Sequence, residues 1–200
     1  MTTTAPLSRP ELTLPEPEAA LLRDAYAQAD VILEYGSGGS TVMAAELGKR
    51  VFAVESDKGW AQMMREWFAA HPPAAPGTVE ILCSDIGPTR DWGHPVDERA
   101  WKRFARYPLE VWDMPGLPHP DVVLVDGRFR AGCALATAFR ISRPVTLYFD
   151  DYTNRPRYHE VETFLGAPER VVGRMARFAL RPTPVPADRL LRVIHLMTRP

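Results

Sequence analysis

Val31-Ile32-Leu33-Glu34-Tyr35-Gly36-Ser37-Gly38-Gly39-Ser40-Thr41 decides the fold of this chain. An apolar run of strand length stops at a glycine cluster, and a helical stretch, residues 40–48, follows and closes on Gly48. Glycines at such a junction let the backbone turn tightly and let a ligand approach the main chain. The helix beyond offers free N–H groups to an anion. Two phosphate-binding patterns fail here. Counted from Gly36, the third glycine of G-x-G-x-x-G falls on Thr41, and no lysine follows as a phosphate loop requires.

The same rhythm continues on both sides. Residues 18–29 read as an amphipathic helix. Residues 50–57, 78–85, 121–127 and 144–152 read as strands, and 58–71, 129–141 and 157–166 as helices. Strands alternating with helices predict βαβ units and a parallel sheet. Residues 170–180 and 189–198 read as two late strands joined by a proline-rich connection, which makes the last strand antiparallel. The fold class is α/β: Rossmann-like, doubly wound, with a mostly parallel seven-stranded sheet and an antiparallel last strand. Four prolines in residues 6–17 make residues 1–17 an extended arm, and residues 18–200 a single domain. Residues 87–120 break the rhythm and hold three of the five tryptophans. They read either as an expanded crossover forming a lid or as a surface crossover whose aromatics pack on the sheet.

Composition narrows the class of function. With 200 residues, 46% hydrophobic and 24% charged, the chain has the makings of one globular domain rather than a disordered one. The net charge of -1 gives no basic excess for nucleic acid. There is no signal-like leader and no apolar run long enough to span a bilayer, so a membrane role is not expected. Two cysteines, Cys83 and Cys133, lie in apolar segments and suggest packing in a reducing cytoplasm.

Carboxylates punctuate the expected strand ends. Glu55 stands nineteen residues after Gly36, where a carboxylate can accept both hydroxyls of a ribose. Asp85 ends the third strand, where an adenine amino group would lie. Glu34, beside the turn, could receive the ammonium of an amino-acid tail. Together LEYGSGG, VFAVESD and LCSDIG resemble, in order, the glycine, acidic and adenine-contact motifs of the Rossmann-like (class I) S-adenosylmethionine-dependent methyltransferases. The resemblance spans residues 18 to 198. It implies S-adenosylmethionine as cofactor, held by Glu34, Tyr35, Gly36, Ser37, Gly38, Glu55, Ser56, Asp85 and Ile86, and a methyl acceptor beyond.

Asp126 ends the fourth expected strand, and Asp150 and Asp151 the fifth. Neighbouring strand ends face one crevice, and three carboxylates there repel unless a cation sits among them. The arrangement is similar to that of metal-dependent O-methyltransferases, which implies Mg²⁺ held by Asp126, Asp150 and Asp151 and methylation at oxygen. Arg128 and Arg130 depart from that pattern, since either guanidinium could neutralise the acids with no metal. Asp126 and His94 are the candidate catalytic groups, His94 because its segment should overhang the cleft. Trp92, Trp101, Tyr107 and Trp112 form a candidate aromatic substrate wall or part of the core. Trp60, Met63, Met64 and Trp67 fit the buried face of a helix. The expected function is therefore methyl transfer from S-adenosylmethionine to a small molecule, at oxygen. A non-catalytic module that binds S-adenosylmethionine or another nucleoside is the alternative, and an NAD-dependent oxidoreductase a further one.

Overall fold

The structure is a computed structural model and describes residues 8–200. Residues 1–7 of the expected arm lie outside it. Residues 8–15 form no regular element, yet Leu14 is buried and Leu12 packs beside it. The Leu12 backbone passes so close to Gly39 that a Cβ there would lie 2.3 Å from the Leu12 nitrogen. Gly39 therefore serves the passage of the arm rather than a ligand.

Seven strands form the sheet: β1 (Val31–Tyr35), β2 (Arg50–Glu55), β3 (Thr78–Cys83), β4 (Val122–Val125), β5 (Val145–Phe149), β6 (Arg170–Val172) and β7 (Met175–Leu180). Their order is β3-β2-β1-β4-β5-β7-β6. The first five are parallel, and β7 runs antiparallel to both β5 and β6. Side chains alternate between two helical layers, as a period of two requires. Ile32, Val51, Val122 and Leu124 face α1 (Glu16–Gln28) and α2 (Gly39–Glu46), with α3 (Lys58–Ala70) on the same side. Leu33, Tyr35, Phe52, Val54, Val123 and Val125 face α4 (Arg130–Arg140), α5 (Leu190–Thr198) and the short helical turns of residues 101–113. Burial on both faces is why the central strands read as continuous apolar runs.

Two late elements differ from the sequence reading. Residues 170–180 are a hairpin, β6 and β7, because Gly173 adopts φ +53° and turns the chain. Residues 189–198 are not a strand. Val193, Leu196 and Met197 are buried at three- and four-residue intervals, the mark of helix α5. Gly132 lets α4 and α5 cross closely, since a Cβ there would lie 2.8 Å from the Met197 Cα. The expected helix 157–166 is a 3₁₀ stretch, Pro156–Val161, continued by one α-turn, Glu162–Leu165. Among the described residues no helix is long and apolar enough to cross a membrane.

Candidate active site

The carboxyl ends of β1, β2 and β4 meet at the glycine turn. Gly36 has φ +107°, and a Cβ on it would lie 3.0 Å from the Gly127 nitrogen after β4. The Tyr35 carbonyl accepts the N–H groups of Asp126 and Gly127 at 3.0 and 2.5 Å, so the β1 and β4 tips are locked together. Gly38 has open space where a Cβ would be.

Glu34 alternates onto the α1–α2 face, away from the turn's ligand side. It is fully buried and accepts hydrogen bonds from the Tyr26 hydroxyl, at 2.6 Å, and from the Thr41 hydroxyl. Thr41 in turn accepts the Gly38 N–H at 3.0 Å. Burial pushes the Glu34 carboxyl up to about 7, against the pull of these hydrogen bonds. This corrects the expected ammonium contact. Glu34 braces the turn from behind through Thr41. Tyr35 likewise presents backbone to the turn, while its ring is core: its hydroxyl donates to the Pro108 carbonyl and accepts from the Trp112 indole, both at 2.7 Å.

Glu55 is 8% exposed at the tip of β2 and spans to the glycine turn. One oxygen accepts from Ser56 N and Asp57 N at 2.7 and 3.0 Å, the other from Ser37 Oγ at 3.1 Å. Burial raises its carboxyl above the ordinary range, and these donors restrain the rise. Ser56 donates to the Gly93 carbonyl at 2.9 Å, so the segment after β3 folds back over the β2 tip. Asp85 is half-exposed after β3. The Gly87 N–H, together with the Arg103 and Lys58 charges, holds its carboxyl below the usual range. Ile86 is entirely buried in the same cluster as Phe104, Tyr107 and Phe129 and offers no free surface.

Asp126, Asp150 and Asp151 do converge, but on a guanidinium. Arg130, 4% exposed, reaches Asp126 at 3.1 Å, Asp151 at 3.1 Å and Asp150 at 3.9 Å. It also donates to the carbonyls of Gly127 and Asp150 at 2.9 and 2.7 Å. Arg174 binds both Asp150 oxygens at 2.9 Å, and Arg155 binds Asp151 at 2.8 Å. Glu18 on α1 sets this up from a distance by accepting the Arg174 N–H at 2.8 Å, which fixes the hairpin turn that aims Arg174 inward. Asp126 is pushed up to about 7, by burial first and then by Asp150 and Asp151, with Arg130 opposing.

His94 sits in a small ladder, Thr89–Arg90 with His94–Pro95, and its ring contacts Pro95 O and Arg90. The adjacent Gly93 rests on β2, two strands from β4, roughly 10 Å away at ~4.8 Å per strand. The structure does not join His94 to Asp126. Trp92 and Trp101 are exposed, Trp112 is half-buried, and Tyr107 is core. The Tyr107 hydroxyl reaches over the turn, 3.2 Å from the Val54 carbonyl and 2.1 Å from where a Gly127 Cβ would be. Trp60 is not core either. Its indole donates to the Ser37 carbonyl at 2.8 Å, closing the outer side of the glycine turn. Helical spacing pointed Trp60 inward, and only its position at the start of α3, beside the β2 tip, could have signalled otherwise.

No protein-family model and no curated sequence matches the chain. Among solved structures, a methyltransferase-like protein from Silicibacter pomeroyi is 61% identical, with a TM-score of 0.93, over 96% of this chain and 99% of that one. The chain belongs to the same methyltransferase-like family as that protein. More distant structures share the fold. An O-methyltransferase of tomaymycin synthesis from Streptomyces achromogenes, solved with S-adenosylmethionine, is 17% identical with a TM-score of 0.55 over 88% of this chain and 83% of that one. An O-methyltransferase from Bacillus cereus, solved with S-adenosylhomocysteine, is 15% identical with a TM-score of 0.53 over 88% and 84%.

Membership of this methyltransferase-like family makes the fit of two absent groups a question of donors and space. A divalent cation does not fit. The Arg130 guanidinium occupies the point where the three carboxylates meet, and among the described residues no acid, His or Cys cluster is arranged to hold a metal. The expected Mg²⁺ ligands are thus an arginine site. For the cofactor, the turn offers open space at Gly38 with Glu55 alongside, while Gly36 and Gly127 pack against each other and the Tyr107 hydroxyl lies over Gly127.

Proposed function

We propose that the chain transfers the methyl group of S-adenosylmethionine to the hydroxyl of a small molecule. The observation that carries this reading is the contact of Gly36 with Gly127, which sets the donor's turn directly beside Asp126. Gly36, Ser37 and Gly38 would hold the methionine end, Glu55 and Ser56 the ribose, and Asp85 the adenine. Bound S-adenosylmethionine supplies a methyl carbon already electrophilic on sulfur. The chain has to align the acceptor, exclude water and remove a proton. Ribose hydroxyls can take the place of Ser37 at Glu55, and the Gly93 segment, which rests on Ser56, closes over that side.

Asp126 is the proton acceptor in this reading. A carboxylate whose pKa is about 7 can take a hydroxyl proton more readily than an ordinary aspartate. Arg130 fixes its orientation at 3.1 Å. The test is a radiolabelled methyl-transfer screen over hydroxylated acceptors, at several pH values. Turnover should rise with pH through about 7, as Asp126 loses its proton, and Asp126→Asn should remove both the rate and that inflection. Cofactor binding with no transfer to any acceptor would favour a binding module instead.

A further inference from the structure

Charge at the tips of β4 and β5 does not balance. Arg130, Arg155 and Arg174 pair with Asp126, Asp150 and Asp151. Arg128 is near Arg130, Arg155 and Tyr158, Arg157 packs on Tyr158, and neither has a carboxylate partner among the described residues. Arg128 Nε is buried and has no hydrogen-bond partner at all. Arg157 lies over the Tyr158 ring, 5.1 Å from its centre. The Tyr158 hydroxyl is 3.4 Å from Arg157 and 3.4 Å from Arg155.

A half-buried guanidinium among other guanidiniums is costly, because desolvation and like charge both oppose it. The direction of its titration agrees: burial first, then Arg130, lower the Arg128 pKa. An anion at that point removes both penalties, and a guanidinium fork binds carboxylate and phosphate oxygens in pairs. The place matters too. Arg128 follows Gly127, whose nitrogen lies 3.0 Å from the Cβ position of Gly36.

We propose that Arg128 and Arg157, with the Tyr158 hydroxyl that Arg155 and Arg157 approach, recognise an anionic oxygen group on the methyl acceptor. The acceptor is then a small hydroxy acid or hydroxylated phosphate ester, gripped by its acidic group while its hydroxyl faces Asp126. The inference rests on the methyltransferase reading of the same cleft.

The test uses the full chain, loaded with S-adenosylhomocysteine, and three probes of like shape: benzoate, phenyl phosphate and the neutral benzamide. Calorimetric titration should show benzoate or phenyl phosphate binding at least about tenfold more tightly than benzamide. The better of the two names the acidic group. Arg128→Gln and Arg157→Gln should each erase the preference while S-adenosylhomocysteine still binds, which shows that the variants are folded. No preference in the loaded wild-type chain, or a preference that survives both substitutions, overturns the proposal. Arg128-dependent anion binding in a chain that fails to bind S-adenosylhomocysteine would overturn the acceptor role and, separately, the methyltransferase reading.

Discussion

Replacing Arg130 by Met keeps most of the side chain's length and removes its charge. Three carboxylates would then face one another with only Arg174 and Arg155 to offset them, and the carbonyls of Gly127 and Asp150 would lose their donor. Arg130 is 4% exposed and Asp150 1%, so solvent screens little of the repulsion. Breaking a buried ion pair from one side costs about 3–5 kcal/mol. For a domain of this size each kcal/mol lowers the melting temperature by roughly 2–4 °C, so Arg130→Met should melt roughly 6–20 °C below wild type at neutral pH. The defect should shrink towards pH 5.5, because the wild-type Asp126, whose carboxyl burial raises, is then neutral as well and no longer gains from Arg130. Millimolar Mg²⁺ should raise the melting temperature of the variant, since the emptied acid triangle then suits a hard cation, and leave wild type unchanged. Scanning calorimetry at two pH values with and without Mg²⁺ reads all of this. A variant within about 2 °C of wild type, or a wild type that Mg²⁺ stabilises as strongly, would refute the view that the guanidinium is the site's cation.

Gly36→Ala puts a Cβ 3.0 Å from the Gly127 nitrogen at φ +107°, a strain of about 1–3 kcal/mol. It should cut S-adenosylhomocysteine affinity by at least about tenfold in calorimetry, and unchanged affinity would remove the turn from the site. Glu34 has a pKa of about 7 when folded and 4.5 as its reference, so the native state binds its proton more tightly. Stability from this group is full below pH 4.5 and declines as pH rises to 7, by up to about 3 kcal/mol. Denaturant titrations should show that decline in wild type and a smaller one in Glu34→Gln; equal slopes would show the carboxyl to be ionised throughout. Trp60→Phe removes the donor to the Ser37 carbonyl and should weaken cofactor binding several-fold, with no change in melting temperature beyond about 2 °C.

The sequence disclosed the β1–β5 alternation because β1, β2, β4 and β5 are buried on both faces and glycine or proline lies close to each of the five strands. It concealed the late hairpin because Gly173 lies inside an otherwise unbroken strand-like run, and α5 because Leu190, Leu191 and Ile194 are exposed apolar residues that blur its helical stripe. In the site, the glycine turn and the three late aspartates were legible from position alone. Which of Arg128 and Arg130 meets them was not, because that depends on the non-helical turn of residues 126–129, where Phe129 adopts φ +52° and α4 opens with Arg130 at the acids, while Arg128 is not paired with them. Glu34 misled because the strand's alternation, which the sequence showed, sends it to the helical layer.

The Arg65 guanidinium lies across the Ile81 carbonyl of β3, at 2.7 and 3.1 Å. Because β3 is the outermost strand on its side, that carbonyl is one of a row with no neighbouring strand to meet it. A long bare margin of this kind invites other chains to add themselves and start an aggregate. Arg65 puts a charge across the row, and at the opposite margin β6 is only three residues long. The sheet is thereby guarded against growth at both ends, which matters for its solubility at high concentration rather than for its chemistry.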